Sequence, residues 1–222
     1  MSGKLRIISG RWRGRKLVVP NVSGLRPSGD RTREVLFNWL QGLTNGARCL
    51  DLFAGTGALG LEAASRGAAS VVLVERDRRL CERLRKIADE WPDGAVLDVV
   101  QGDAPRWLEQ ASGPFDIAFL DPPFSAGLHG AALQALIRPG LLAPDAMIYV
   151  ESDARAAAPF PVSDANEKRP NLQALSPCSA GQSSLAPASW RIHREKKLGE
   201  VRMQLLRTPE SDPRAERAPS YN

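Results

Sequence analysis

The chain has 222 residues, 43% of them hydrophobic and 25% charged, enough for one domain with a substantial core and short appendages and too few for two full domains. No apolar run approaches the roughly 20 residues needed to cross a bilayer, and Met1-Ser2-Gly3-Lys4 has no apolar stretch behind its charge, so a cytoplasmic protein is expected. The net charge of +5 is uneven: residues 1–33 hold nine basic side chains against one acid, Asp30, whereas the remainder holds 21 basic and 24 acidic. Such an N-terminal concentration suits a polyanion such as nucleic acid. Cys49, Cys81 and Cys178 are odd in number and far apart, and with His129 and His193 they give no zinc-ligand spacing. Reduced, mostly buried thiols and no metal are expected.

Two short strand-like runs, residues 5–9 and 16–19, are joined by Gly10-Arg11-Trp12-Arg13-Gly14. This reads as a hairpin whose turn presents arginines around Trp12, and alternating cations with an aromatic suit phosphate contact plus base stacking. A solvated hairpin tip is the plain alternative. Lys4, Arg6, Arg15, Lys16 and Arg26 extend the same basic surface. Pro27-Ser28-Gly29-Asp30 then breaks the chain, with Asp30 placed to cap a helix. Val35, Leu36, Trp39, Leu40 and Leu43 recur at helical spacing and predict an amphipathic helix over 31–43. Arg31 and Arg33 fall in its first turn, where the helix dipole disfavours cations. They serve either RNA or a cofactor carboxylate, or are simply exposed.

From residue 47 strand and helix alternate, the pattern of a doubly wound, mostly parallel sheet. Strands are expected at 47–53, 70–75, 95–101, 115–120 and 146–151, and helices at 58–66, 78–91 and 128–137. The first strand runs into Asp51-Leu52-Phe53-Ala54-Gly55-Thr56-Gly57-Ala58-Leu59-Gly60. Glycines at 55 and 57 let a ligand approach the backbone, and the helix start beyond them offers unpaired N–H groups. Gly55-x-Gly57-x-x-Gly60, with Glu75 20 residues after Gly55, matches the dinucleotide fingerprint. Two features point away from a dinucleotide. Asp51 is a poor neighbour for a pyrophosphate but a good one for the ammonium of a bound amino acid, and Asp121-Pro122-Pro123-Phe124 has no part in nicotinamide chemistry. S-adenosylmethionine fits both, with a ribose for Glu75, an amino-acid end for Asp51 and the loop, and no phosphate. Asp103 is placed either to accept the adenine amine or to cap the following helix. Ligands of open α/β sheets bind at the carboxyl ends of strands, so Asp51, Glu75, Asp103 and Asp121 are expected to converge on one crevice.

Asp121 to Phe124 is where the chemistry is expected. The exocyclic amine of a nucleobase is a poor nucleophile because its lone pair is delocalised into the ring. Asp121 and the Pro122 carbonyl can each accept one N–H, Pro123 stiffens the turn without a competing N–H, and Phe124 offers a stacking face for a base taken out of its helix.

The chain resembles the bacterial small-subunit ribosomal RNA methyltransferase D family. The resemblance is carried by residues 8–17 (Ile8 to Leu17), Gly24-Leu25-Arg26-Pro27, residues 30–40 (Asp30 to Leu40), the glycine loop, Asp121 to Phe124, Tyr149-Val150-Glu151-Ser152 and His193-Arg194-Glu195-Lys196. It implies a Rossmann-like S-adenosylmethionine-dependent methyltransferase fold and methylation of N2 of one guanine in 16S rRNA, within an assembled small ribosomal subunit. It places the cofactor role on Asp51, Phe53, Ala54, Gly55, Gly57, Glu75, Asp103 and Ala104, and the target-amine role on Asp121, Pro122, Pro123 and Phe124. RNA contact falls to Lys4, Arg6, Arg11, Trp12, Arg13, Arg15, Lys16, Arg26, Arg31 and Arg33.

The expected organisation is a basic hairpin extension over 1–27, a methyltransferase domain over 28–207 built on a seven-stranded sheet, and a disordered tail over 208–222. Within the domain, 154–189 is rich in proline, serine and alanine, departs from the family in length, and is expected to be a disordered insertion. Residues 190–196 and 200–207 read as an antiparallel hairpin closing the sheet, with Trp190, Ile192, Val201, Met203 and Leu205 inward, and His193 reads as a surface or RNA contact. A monomer with no membrane association is expected. The alternatives are a DNA adenine-N6 or cytosine-N4 amino-methyltransferase, disfavoured by the lack of a sizeable target-recognition domain, and an inert nucleic-acid-binding protein on the same fold, disfavoured by the intact Asp121 to Phe124.

Overall fold

The computed structural model describes residues 4–18, 29–123, 127–156, 162–163 and 190–207. Its centre is a sheet whose strands bury both faces, which is why they read as near-continuous apolar runs rather than alternating ones. Along Phe115–Leu120, Ile117 and Phe119 join one core while Ala118 and Leu120 join the other.

The sheet contains β3 (Arg48–Asp51), β4 (Ser70–Glu75), β5 (Leu97–Gln101), β6 (Phe115–Leu120), β7 (Leu142–Asp153), β8 (Val162–Ser163), β9 (Trp190–Leu198) and β10 (Val201–Arg207). Their order is β5-β4-β3-β6-β7-β10-β9-β8. Strands β3 to β7 run parallel, β10 is antiparallel to both β7 and β9, and β8 adds parallel to β9. Helices α1 (Asp30–Trp39), α2 (Ala58–Ser65) and α3 (Arg78–Glu90) cover one face through residues such as Leu36, Leu61 and Leu84. Helices α4 (Ala104–Gln110) and α5 (His129–Leu136) cover the other through Leu108 and Leu133. Among the described residues no helix is long and apolar enough to cross a membrane.

The expected elements are present, with local differences. Helix α1 starts at Asp30 and ends at Trp39, and its cap is Gly29 with no side-chain bond. Asp30 therefore does not cap the helix; its Oδ1 takes Arg33 Nη2 at 2.6 Å instead. Strand β7 has 12 residues, longer than 146–151, because the segment before Ala146 still pairs with β6 at Phe115. Strand β10 is internal, so Gln204 and Leu206 are buried as well as the inward set Val201, Met203 and Leu205. The sheet gains an eighth strand, Val162–Ser163, inside the segment expected to be disordered. The rest of 157–189, the tail 208–222, Arg26 and Phe124 lie outside the described residues.

An antiparallel hairpin, β1 (Lys4–Arg6) with β2 (Lys16–Val18), precedes the domain. It is pinned to α2 by Glu62, whose side chain is fully buried. Glu62 Oε2 accepts Ile8 N at 2.8 Å and Oε1 accepts Ser9 N at 3.0 Å. Glu62 also pairs with Arg33 at 3.3 Å and with Arg66 at 2.8 Å. Ser65, one turn on, takes Trp12 N on its Oγ at 2.9 Å and Arg11 N on its carbonyl at 2.8 Å. The approach is so close that a Cβ on Gly10 would lie 1.9 Å from Ser65 O, and Gly10 also has φ +82°, so no other residue fits there.

Removing one partner of a buried ion pair leaves an uncompensated charge, at a cost of about 3–5 kcal/mol. Glu62→Ala is therefore expected to lower the free energy of unfolding in urea by about that amount, with Arg33→Met in the Glu62→Ala background recovering part of it. A Glu62→Ala change below about 1 kcal/mol would show that the network does not anchor the hairpin.

Candidate active site

The four strands expected to carry the site, β5, β4, β3 and β6, are neighbours in the sheet. Asp51, Glu75, Asp103 and Asp121 thus stand at adjacent strand ends. The chain leaves β3 toward β4 on one side, while β6 lies on its other side, so the order reverses there and opens a crevice at the carboxyl edge.

The glycine loop is held to both flanking strands. Leu52 N bonds to Phe119 O at 3.1 Å and Ala54 N to Val74 O at 2.9 Å, while Phe53 packs into the core shared with α4 and α5. Gly57 is the α2 cap, at φ +80°, and a Cβ there would lie 2.5 Å from Leu84 and 2.9 Å from Leu61. The loop can lie this flat only as glycine. Glu75 brackets it: Oε2 accepts Gly55 N at 2.8 Å and Oε1 accepts Asp77 N at 2.7 Å. Each oxygen keeps a second lone pair for a hydroxyl.

Asp51 does not stand open in the crevice. It is buried beneath the loop, with Oδ2 accepting Gly60 N at 2.9 Å. Burial pushes its carboxyl up to about 7, helped by the charge of Glu75 and opposed by the Gly60 and Phe53 backbone N–H groups. Asp103 is the α4 cap, its Oδ1 accepting Arg106 N at 3.4 Å, with Ala104 buried behind it. The capping role is thus occupied, through a long bond and an exposed carboxylate.

Asp121 is half-buried, Pro122 buried and Pro123 exposed. Behind them, on β7, Tyr149 donates to Glu151 Oε2 at 2.9 Å. Burial first, then the charges of Glu151 and Asp121, raise the Tyr149 phenol well above its ordinary range, so it stays a donor. His129 Nε2 lies 2.7 Å from Glu151 O. Tyr149 and Glu151 fall in a stretch that carries the family resemblance, which assigned them no role. Tyr149 and Glu151 lie two apart on one strand, the spacing that puts side chains on the same face, and that was the available signal.

The basic set divides. Arg6, Arg13, Lys16 and Arg31 are exposed. Arg11 pairs with Asp93 at 3.2 Å, and Arg15 lies over the Trp91 ring at 4.9 Å. For Lys4 only the backbone is described. Trp12 and Arg33 depart from expectation. Trp12 is 1% exposed, donates Nε1–H to Pro92 O at 2.8 Å and meets Trp91 edge to face at 5.2 Å. Its apolar ring docks the hairpin and is not open to a base. Arg33 is fully buried, held by Glu62, Asp30 and the Arg6 carbonyl at 2.8 Å, a structural cation rather than an RNA contact. Glu62 was missed, although a lone acid in an apolar helix with Arg66 four residues on is a readable sign of a buried partner. Cys49 and Cys81 are buried thiols. Burial first, then the charges of Asp116 and Asp51, pushes Cys49 up to about 12.

A family model described as conserved hypothetical protein 95 matches residues 5–170. Ribosomal RNA small subunit methyltransferase D of Escherichia coli is 43% identical over 204 residues, 92% of this chain and 90% of that protein. A solved Escherichia coli chain, described as a candidate methyltransferase yhhF, is 41% identical, covers 92% of this chain and 98% of its own, and superposes with a TM-score of 0.71. An RNA methyltransferase from Salinibacter ruber, solved with S-adenosyl-L-homocysteine, is 18% identical, covers 85% of this chain and 97% of its own, and shares the fold at a TM-score of 0.54. The fold is the Rossmann-like methyltransferase fold, and the chain belongs to the ribosomal RNA small subunit methyltransferase D family.

Proposed function

We propose that this protein transfers the methyl group of S-adenosylmethionine to the exocyclic N2 amine of a guanine in 16S rRNA of the small ribosomal subunit. The observation that carries the reading is the row of adjacent strand ends that sets the glycine loop and Glu75 beside Asp121 and Pro122. The family relationship supports the rRNA substrate. The residues fit the cofactor. Gly57 lets the loop pack directly on Leu61 and Leu84, and Glu75 holds the Gly55 backbone at the strand end with lone pairs left for hydroxyl groups. The carboxylates at the strand ends suit hydroxyl and ammonium groups, as a sulfonium amino acid with a ribose requires and a pyrophosphate does not.

When bound, S-adenosylmethionine supplies a methyl group already activated on a sulfonium. The protein's own part is position and polarity. Glu75 is placed for the ribose hydroxyls, and the loop with Asp51 beneath it for the amino-acid end. The Asp121 carboxylate accepts one N–H of the target amine and the Pro122 carbonyl the other, which localises the nitrogen lone pair on the side facing the methyl. The proton that the methylated amine must lose passes to Asp121 or to water. Pro122 and Pro123 keep the turn from relaxing and offer no N–H of their own. Tyr149 and Glu151 are buried on β7, the strand that pairs with β6 up to this turn.

Asp121→Ala is expected to lower the methyl-transfer rate on small ribosomal subunits by roughly 10²–10³-fold while the Kd for S-adenosylmethionine, measured by calorimetry, stays within about twofold. A variant within about threefold of the parent rate would contradict the assigned role.

The Asp51 carboxyl titrates near 7 in the folded protein. Because this value is raised, folding favours the protonated form, and the group's stabilising contribution is lost as pH rises from about 4 to 7. A cation bound above it favours the ionised form. Affinity for S-adenosylmethionine is therefore expected to climb as pH rises through 7 and to level off above it. Asp51→Asn, which keeps an acceptor for Gly60, should bind more weakly and without that pH dependence. Parallel profiles for the two proteins would separate Asp51 from the cofactor's charge.

A further inference from the structure

A cleft of about 330 Å³ lies between the hairpin and α3, with Gly55 and Thr56 of the glycine loop at its lining. Its apolar lining includes Leu17 from the hairpin and Leu84, Ile87 and Trp91 from α3 and its end. Lys16 on the hairpin side and Arg83 and Lys86 on the α3 side bring cations to both walls. Glu90 is the acid in the lining, and it lies 3.6 Å from Lys86 in an exposed i,i+4 pair, a weak contact in water that a phosphate can displace. The surroundings carry the same sign: residues 78–86 of α3 hold five basic side chains and one acid, of which Arg83 and Lys86 line the cleft.

We propose that this cleft holds an unpaired nucleotide of the RNA substrate, neighbouring the one that is methylated. The proposal rests on the rRNA reading above and adds where the strand runs. An apolar lining between two cationic walls matches a base lying flat with its flanking phosphates outward, the combination by which single strands are bound. The volume, at the lower end of the roughly 300–1,000 Å³ range of ligand sites, accommodates one nucleotide and not a duplex. Glycine-loop residues line the cleft, so the bound nucleotide abuts the loop that reaches the crevice, which the strand must enter to deliver its guanine. The Trp91 ring already carries Arg15 against it at 4.9 Å, so Trp91 acts as a wall and the apolar face open to the base is that of half-buried Ile87, above the buried Leu17 and Leu84.

The test compares Arg83→Ala/Lys86→Ala with Arg85→Ala, whose guanidinium bonds Val99 O at 3.3 Å on the same helix and does not line the cleft. Steady-state methylation and equilibrium binding would use unmethylated small ribosomal subunits and naked 16S rRNA as probes. For the double variant the RNA KM is expected to rise about tenfold, with kcat within about twofold and the S-adenosylmethionine Kd unchanged. The slope of log K against log salt should become shallower by about 1.4, two single-strand phosphate contacts at about 0.7 each. Ile87→Trp, which fills the cleft without changing charge, should raise the same KM. Arg85→Ala should do neither. An unchanged KM and salt slope in the double variant, or an equal effect per charge from Arg85→Ala, would overturn the proposal. So would loss of binding to subunits with binding to naked 16S rRNA intact, because the occupant would then be a protein segment. A parent protein that neither binds nor methylates either RNA would instead overturn the reading on which the cleft rests.

Discussion

One buried carboxylate holds the two working parts of this protein in a fixed relation. Glu62 sits on a helix that begins at the glycine loop and ends against the basic hairpin, and it accepts from two hairpin N–H groups and two arginines at once. A charge taken out of water is tolerable only when it is fully paired, and here the pairings tie the hairpin and α1 to α2 and its C-terminal cap. The hairpin, α1 and the end of α2 are therefore one unit. Whatever the hairpin binds is held at a set distance from the loop at the other end of the same eight-residue helix.

The same economy governs the crevice. Asp51 and Glu75 each spend hydrogen-bonding capacity on the chain before any ligand arrives, Asp51 on Gly60 and Glu75 on Gly55 and Asp77. They shape the loop as much as they offer themselves to a cofactor. Preorganisation of this kind removes the cost of ordering the site when it fills. Burial leaves Asp51 near the midpoint of its titration at neutral pH, so a charge placed above it can change its protonation.

Much of this was legible in the chain. Strands 70–75 and 115–120 match the structure end to end because both faces are apolar and both are bounded by turn or charged residues. The placement of the four acids at adjacent strand ends followed from the rule that α/β sheets bind ligands at carboxyl ends, but Asp51 is buried beneath the loop and does not open into the crevice. What the sequence concealed was which polar residues face inward. Trp12, between two arginines in a glycine-bounded turn, has the local composition of an RNA-stacking tip, yet its ring and N–H are both taken up by the domain. Arg33 looks like a misplaced surface cation until Glu62, 29 residues away, is known to be buried beside it. Long-range partners of this kind leave no local periodicity. Of the two readings of Asp103, the structure shows the helix cap.

The proposed reaction is methylation of a guanine of ribosomal RNA in this crevice. Its most direct test is transfer of labelled methyl from S-adenosylmethionine to small ribosomal subunits, naked 16S rRNA and duplex DNA, followed by digestion and identification of the labelled nucleoside. N2-methylguanosine is expected from a ribosomal sample and none from DNA. Label in DNA, or recovered as methyladenine or methylcytosine, would contradict it.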